Sequence, residues 1–403
     1  MKQEPLRLTI FISIIVCIFA IIVSIFILND EQLPKETQIQ VINNQEFILD
    51  KSAKHNYLIV GVDGKFGFAR DNGEIFDEQL YDVLSVADYG LYYFKKATVQ
   101  GFLDAELNEI FSTEETINSN VSENFVIYSS NNKKGFINIT NGEKIKADYD
   151  VAYDFSEGFA AVQIGKATGF INTKGELVIP CQYSNNAMYQ FKSGKCNVMT
   201  GSLEEGNLCA FYIDTEGNKL FDLDFDYCMP FSDERAFVSK NAEWYIIDSE
   251  GNKVGENTFG PYEKTAPAVF KEEKAIVVKD GKYGVIDTDG NYTVEPEYDY
   301  MSEITEGGIV FKQNGLFGYM NIGGSIMITP RYESLSSFKN GLAVFSQDHK
   351  YGVIDRAATV VVNAEHENIS IMDNGLIKIQ TTDNKFYYLN KYGQTVYKST
   401  ENQ

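Results

Sequence analysis

Three histidines, His55, His349 and His366, are the whole imidazole complement of this 403-residue chain. None stands in His-Glu-x-x-His or another metal-binding spacing, and no Gly-x-Ser-x-Gly elbow or P-loop occurs. Asp222, Asp224, Asp226 and Asp233 fall at positions 1, 3, 5 and 12 of a calcium-type loop. Position 6 is Tyr227, where the sharp turn of such a loop needs Gly. The run LFDLDFDY reads better as a strand with its acids on the wet face. Carboxylates are frequent in Asp-x-x-Gly turns, where capping of the turn backbone explains them without catalysis. A polysaccharide hydrolase would need two carboxylates within about 5–10 Å in a cleft, outside those turns. The residues therefore point to a protein that is not an enzyme, with no catalytic residue, no cofactor and no metal. His366 falls in an aromatic column described below, so a packed ring is expected there.

The five cysteines carry little chemistry. Cys17 lies inside an apolar run, behind the bulky Val16, and reads as filler rather than as a lipidation site. Cys181, Cys196, Cys209 and Cys228 read as buried free thiols. If a disulfide forms, Cys196 and Cys209 are the pair expected, because they flank the loop TGSLEEGN and would face each other across a hairpin.

The elements that carry these residues repeat every 34 residues. From Gly67, the register runs through Gly101, Gly135 and Gly169. It returns at Phe211 and Tyr245 after an insertion, then at Gly284, Gly318, Gly352 and Tyr387. Other columns agree. An Asp or Asn lies three residues after nearly every anchor, as at Asp104, Asp214, Asp287 and Asp355. A Gly lies six after it at Gly73, Gly175, Gly217, Gly251, Gly290, Gly324 and Gly393. An aromatic lies fourteen after it at Tyr81, Tyr149, Tyr183, Phe225, Phe259, Tyr298 and Tyr332. A stretch such as YGVID alternates faces and is rich in strand formers. Asp followed three residues later by Gly suits a type I turn that closes on a left-handed residue. Each unit thus opens with a hairpin, and GIVFKQN or GLAVFSQ supplies a further strand. Four short strands in 34 residues is the content of one propeller blade, and stacked neighbours complete each other's core. The tenth copy holds only its first hairpin, while HNYLIVGVDGKFG at 55–67 supplies unmatched strands at the start. A last blade built from both termini would close a ring.

These residues resemble the WG-repeat (KWG) family, whose unit looks like K-W-G-Y-I-D-x-x-G, then I-P-x-x-Y-D, then F-x-x-G-L-A-x-V. KYGVIDTDG at 282–290, TPRYE at 329–333 and FKNGLAV at 338–344 carry the match. Trp244 is the one Trp left at the signature position; Phe66, Tyr283, Phe317, Tyr351 and Phe386 replace it elsewhere. The resemblance covers the chain after residue 55 and implies architecture; the family has no shared catalytic residues.

Composition agrees with that fold and bounds the function. Tyr and Phe total 53 and Gly 32, a strand-and-turn composition. The net charge of -22 repels phosphate backbones and argues against nucleic acid. Leu8 to Leu28 is 21 residues without a charge, long enough to span about 30 Å of hydrocarbon. Lys2 and Arg7 precede it, so the N-terminus is expected in the cytoplasm and the remainder outside. The run is longer than a signal-peptide core and lacks a small-residue cleavage site, so an uncleaved anchor is expected.

The sequence thus predicts an all-β repeat protein: a β-propeller-like array of about ten 34-residue, four-stranded units after one transmembrane helix. An open superhelical β-repeat stack and two smaller propellers are the alternatives. Residues 1–7 form a cytoplasmic stub, 8–28 the anchor, 29–44 a linker and 45–403 the extracytoplasmic repeat domain. The expected role is a single-pass, membrane-tethered binding or scaffold module for protein, peptide or envelope polysaccharide. An envelope polysaccharide-processing enzyme and an accessory or sensor protein working through a membrane partner are the competing readings.

Overall fold

The turn chemistry read from the repeat is what builds the strands. In the computed structural model the Asp287 N–H donates to the Asn291 carbonyl at 3.0 Å, and the Gly290 N–H donates back to the Asp287 carbonyl at 3.0 Å. Gly290 has φ +80°, a left-handed conformation open to Gly at no Cβ penalty. The Asp287 carboxylate accepts the Asp289 and Asn291 amides at 3.0 and 2.9 Å. The same hairpin recurs at Asn172, Asp214, Asp248, Asn321 and Asn390. The structure describes residues 40–41, 49, 53, 55–62, 64–70, 74–76, 81–184, 189–202, 205–261, 267–381 and 386–398. The expected stub, the anchor at 8–28, Cys17 and Gly73 lie outside them. No helix among the described residues is long and apolar enough to cross a membrane.

The described strands form ten antiparallel sheets, numbered here in chain order. Six have four strands, one has five, one has three and two have two. Sheet 4 is typical: Val151–Ala152, Phe159–Ile164, Ala167–Asn172 and Leu177–Ser184 pair in sequence order. Sheets 1 and 5 are two-stranded ladders, Leu58–Val62 with Lys65–Ala69 and Cys196–Thr200 with Cys209–Ile213. Isolated bridges Phe66–Tyr81 and Ala210–Phe225 continue them outward. The expectation of about ten four-stranded units is therefore met in part. Gln40–Val41, expected in the linker, pairs with Glu109–Thr113 and gives sheet 2 its fifth strand.

The sheet is out of phase with the sequence repeat by half a unit. Each four-stranded sheet takes two strands from before an anchor, the anchor's own strand and one strand after it. The strands at 58–62 therefore pair with the first anchor's own strand, and Asn368–Ile371, Ile377–Gln380, Phe386–Leu389 and Thr395–Lys398 complete sheet 10 without the N-terminus. The expected last blade shared between termini is overturned. Closure comes from packing instead. Ten apolar clusters each join two successive sheets; sheets 9 and 10, for example, share Leu342, Val353, Ile369 and Ile377. The last cluster joins Leu376, Phe386 and Tyr388 of sheet 10 to Val60 and Ala69 of sheet 1. Across the same seam the Tyr397 hydroxyl donates to the Gly61 carbonyl at 2.8 Å. The array is a closed propeller, not an open stack or two rings.

Two columns acquire a reason that their spacing alone did not give. Gly169 sits where the ladder slips: Thr168 pairs with Tyr183, but Phe170 pairs with Ile179. A Cβ on Gly169 would lie 2.5 Å from the Ile179 carbonyl oxygen and 2.7 Å from the Cys181 nitrogen. The residue before most anchors faces the aromatic fourteen after the anchor, as in Trp244 with Phe259, Tyr283 with Tyr298 and Phe317 with Tyr332. The signature aromatic therefore supports the outer strand of its own sheet. His366 stands in this column opposite Tyr351 and is half-buried, as expected of a packed ring.

Candidate binding grooves on the ring

The histidines and the acids of the 222–233 run are scattered over the ring. His55 Nε2 lies 3.0 and 2.9 Å from the Ala87 and Leu91 carbonyls, tying sheet 1 to sheet 2. His349 is exposed on a turn, where its amide donates to Glu333 at 3.0 Å. Asp224 is paired with Lys219 at 2.6 Å, and Asp233 accepts the Glu273 amide at 2.8 Å. LFDLDFDY is not a continuous strand: Phe225 makes one bridge and Tyr227–Cys228 a short edge. The described residues hold no cluster of three or more side chains able to ligate a metal.

The four described cysteines are free thiols, but only Cys196 is fully buried. Cys196 stands opposite Ile213 and Cys209 opposite Thr200, four places apart along one ladder. That is about 13 Å, against an upper reach of about 7 Å for a disulfide. The expected Cys196–Cys209 pairing is therefore corrected: Cys209 begins its strand beside the loop, whereas Cys196 begins the partner strand at the far end of the ladder. Burial pushes all four thiols up in pKa, so none is activated as a nucleophile.

Sequence reading missed a set of carboxylates that clip sheet to sheet. Asp150 accepts Lys133 Nζ at 2.6 Å from sheet 3 and the Gly165 amide at 2.8 Å from sheet 4. Asp82 does the same with Lys65 and the Ala97 amide, and Asp299 with Lys282 and the Asn314 amide. Hydrogen bonding to the lysine, then to the amide where it is short, holds Asp82 and Asp150 below the ordinary carboxylate value of 3.8. Lys282 is likewise the main cause of the lowered value at Asp299. A second row runs along the other turns. Glu123 accepts the Glu157 and Gly158 amides at 2.6 and 2.8 Å; Glu157 in turn accepts Ser193 and Gly194 at 2.6 and 2.8 Å. Glu306 accepts Asn340 and Gly341 at 2.7 and 3.0 Å and pairs with Arg356. The sequence does contain a signal for the first row: Lys65, Lys133, Lys282 and Lys350 each precede an acid by 17 residues.

What remains open lies between sheets. A groove of about 740 Å³ runs along the junction of sheets 9 and 10. Thr305, Ser336, Ser337, Lys339, Val344, Tyr351 and Glu367 line it together with Asn368–Ile371. Its two charged side chains are already paired, Lys339 with Asp373 and Glu367 with Lys350. Apart from them the lining is neutral. A cavity of about 580 Å³ at sheets 1 and 2 has an apolar floor of Phe76, Tyr81 and Phe94. A third, about 420 Å³, gathers Asp88, Asn120, Ser122 and Asp154 from the loops of three successive sheets. Burial raises the Asp154 carboxyl; Ser119 opposes this, and the Asp88 charge adds to it.

Comparison with known families identifies the repeat. The model of the WG containing repeat family matches residues 135–166, 169–203, 211–244, 283–317 and 317–351. Those five segments of the chain are WG repeats. No curated protein matches it. The WG-repeat ring is similar to several solved structures at low identity. The crystal structure of the eukaryotic initiation factor is 12% identical, with 75% of this chain and 94% of that chain covered, at a TM-score of 0.46. BamB from Moraxella catarrhalis is 11% identical over 70% and 86%, at 0.33. The extracellular domain of the hybrid two component system BT3049 from B. thetaiotaomicron is 12% identical over 90% and 67%, at 0.24.

Proposed function

We propose that this WG-repeat protein is a membrane-tethered binding scaffold, its ten sheets forming one ring held outside the cytoplasm by the apolar segment Leu8 to Leu28. The groove between sheets 9 and 10 is the observation that carries the binding role. In a chain of net charge -22 it offers a neutral, partly apolar lining. Solvated acids elsewhere keep the ring soluble, while a concave apolar surface is where a partner gains contact area. Protein, peptide and envelope glycan are the partner classes. Photo-cross-linking from Ser337 or Ser370 in intact cells tests this: a discrete adduct supports it, and free protein alone at both positions overturns it. External protease tests the topology. Cleavage within the repeats of intact cells is expected, and cleavage only after membrane opening overturns an exported ring.

One observation favours an envelope glycan hydrolase as a second reading. Asp88 and Asp154 share a cavity, and Asp154 is held towards its protonated form, as a general acid requires. Glycan cleavage by the wild type that is lost in Asp154→Asn would replace the binding-only reading.

A further inference from the structure

We infer that Asn368–Ile371 is a docking edge at which an extended peptide segment of a partner protein adds as a fifth strand to sheet 10. The inference rests on the scaffold reading and names its partner class.

Strand phase carries the argument. Met372 donates its N–H to the Leu376 carbonyl at 2.8 Å, closing the hairpin between the first two strands of sheet 10. The register continues as Ile371 opposite Ile377, Ser370 opposite Lys378, Ile369 opposite Ile379 and Asn368 opposite Gln380. Hydrogen-bonded and non-hydrogen-bonded pairs alternate in an antiparallel ladder. Ser370 and Asn368 therefore bond inward to Ile377–Gln380. Ile369 and Ile371 turn their N–H and C=O groups the other way, to an edge where sheet 10 has no further strand among the described residues.

That edge borders the 740 Å³ groove, so its unpaired backbone groups open into a space large enough for a chain. Ile369 and Ile371 are two residues apart, so their outward groups repeat at about 7 Å. This is the repeat of another strand and not of a sugar ring, and it selects an extended peptide. Apart from the ion-paired Lys339 and Glu367 the side-chain lining is neutral, which selects apolar and hydroxyl-bearing residues in that peptide. Length separates this edge from its counterparts. Thr116–Ile117, Val151–Ala152, Tyr227–Cys228, Tyr300–Met301 and Ser334–Leu335 have two residues each. Val83–Val86 has four, but lines none of the three cavities. Sheet 2 provides an internal precedent: Gln40–Val41 adds to the outer edge of that sheet.

The test is hydrogen exchange on the full chain in detergent micelles, with and without a synthetic octapeptide of alternating Val and Thr capped by single lysines. At saturating peptide, exchange in the Asn368–Met372 segment is expected to slow at least tenfold. Ile371→Pro deletes one outward donor while sparing the ladder to Ile377, and is expected to lose that protection; Ile371→Val should retain it. Ser337→Trp, which adds bulk at a groove-lining position of the facing sheet and keeps every backbone donor of the edge strand, should weaken binding by tenfold or more and covers the case in which the proline variant misfolds. Protection confined to another sheet, or protection equal in wild type and both disruptive variants, overturns strand addition and leaves the scaffold reading standing. If the octapeptide and purified envelope glycan both leave exchange unchanged over the whole ring, both readings fail.

Discussion

A glycine and a cysteine show how residue type acts here through its surroundings. Gly169 is required because a neighbouring carbonyl occupies the space of its Cβ. Gly169→Ala is expected to cost about 1–3 kcal/mol, the range for forcing extra volume into a packed site. Urea unfolding of the two proteins measures it; a difference under about 0.5 kcal/mol would remove the steric explanation. Cys196 has 1% of its surface exposed. It should resist alkylation in the native protein and react fully once unfolded, with mass spectrometry locating the label. A Cys196–Cys209 cross-link after mild oxidation would contradict the register. The glycine column was legible in the sequence, but its cause was not, because a clash with a carbonyl depends on a ladder slip that no local propensity encodes.

Elements are joined by carboxylates that reach from one sheet to the next. Asp82, Asp150 and Asp299 have folded-state values depressed by their lysines and by turn amides. At a given acidic pH the unfolded chain therefore binds more protons than the folded one. Their stabilisation is present above the ordinary value of 3.8 and is lost as pH falls through and below it. Thermal unfolding should show stability dropping on that acid limb. The triple variant Asp82→Asn, Asp150→Asn, Asp299→Asn should be less stable at pH 7 and flatter below pH 4; parallel curves for the two proteins would count against the clips. Asp154 runs the other way. Its raised value means that the folded state keeps its proton longer, so its contribution favours folding at low pH and weakens as pH rises through the folded value. The 17-residue spacing of Lys and acid lay in the sequence, but it carries no meaning until adjacent sheets are placed side by side.

At the scale of the molecule, the seam between sheets 10 and 1 determines how the ring unfolds. Leu376, Phe386 and Tyr388 pack against Val60 and Ala69 without exchange of strands. Leu376→Ala is expected to cost about 2–5 kcal/mol, as for other buried leucines, and to lower the single unfolding transition rather than detach one sheet. Calorimetry with hydrogen exchange distinguishes the two. Early exchange confined to sheets 1 and 10 in the wild type would mean that the ends behave as the free caps of an open array.

The sequence by itself determined the strand-and-turn unit, its period and the apolar columns, because alternation and turn chemistry act over a few residues and recur in every copy. It also placed the Asp-x-x-Gly turns correctly, since one carboxylate capping its own backbone needs no neighbour. Tertiary structure alone decided where each sheet begins, that sheet 10 closes on sheet 1 by packing, which carboxylates bridge sheets, and that one edge strand opens into a groove. All of these depend on contacts between residues a full repeat or more apart, and a period in the chain does not fix its phase in space.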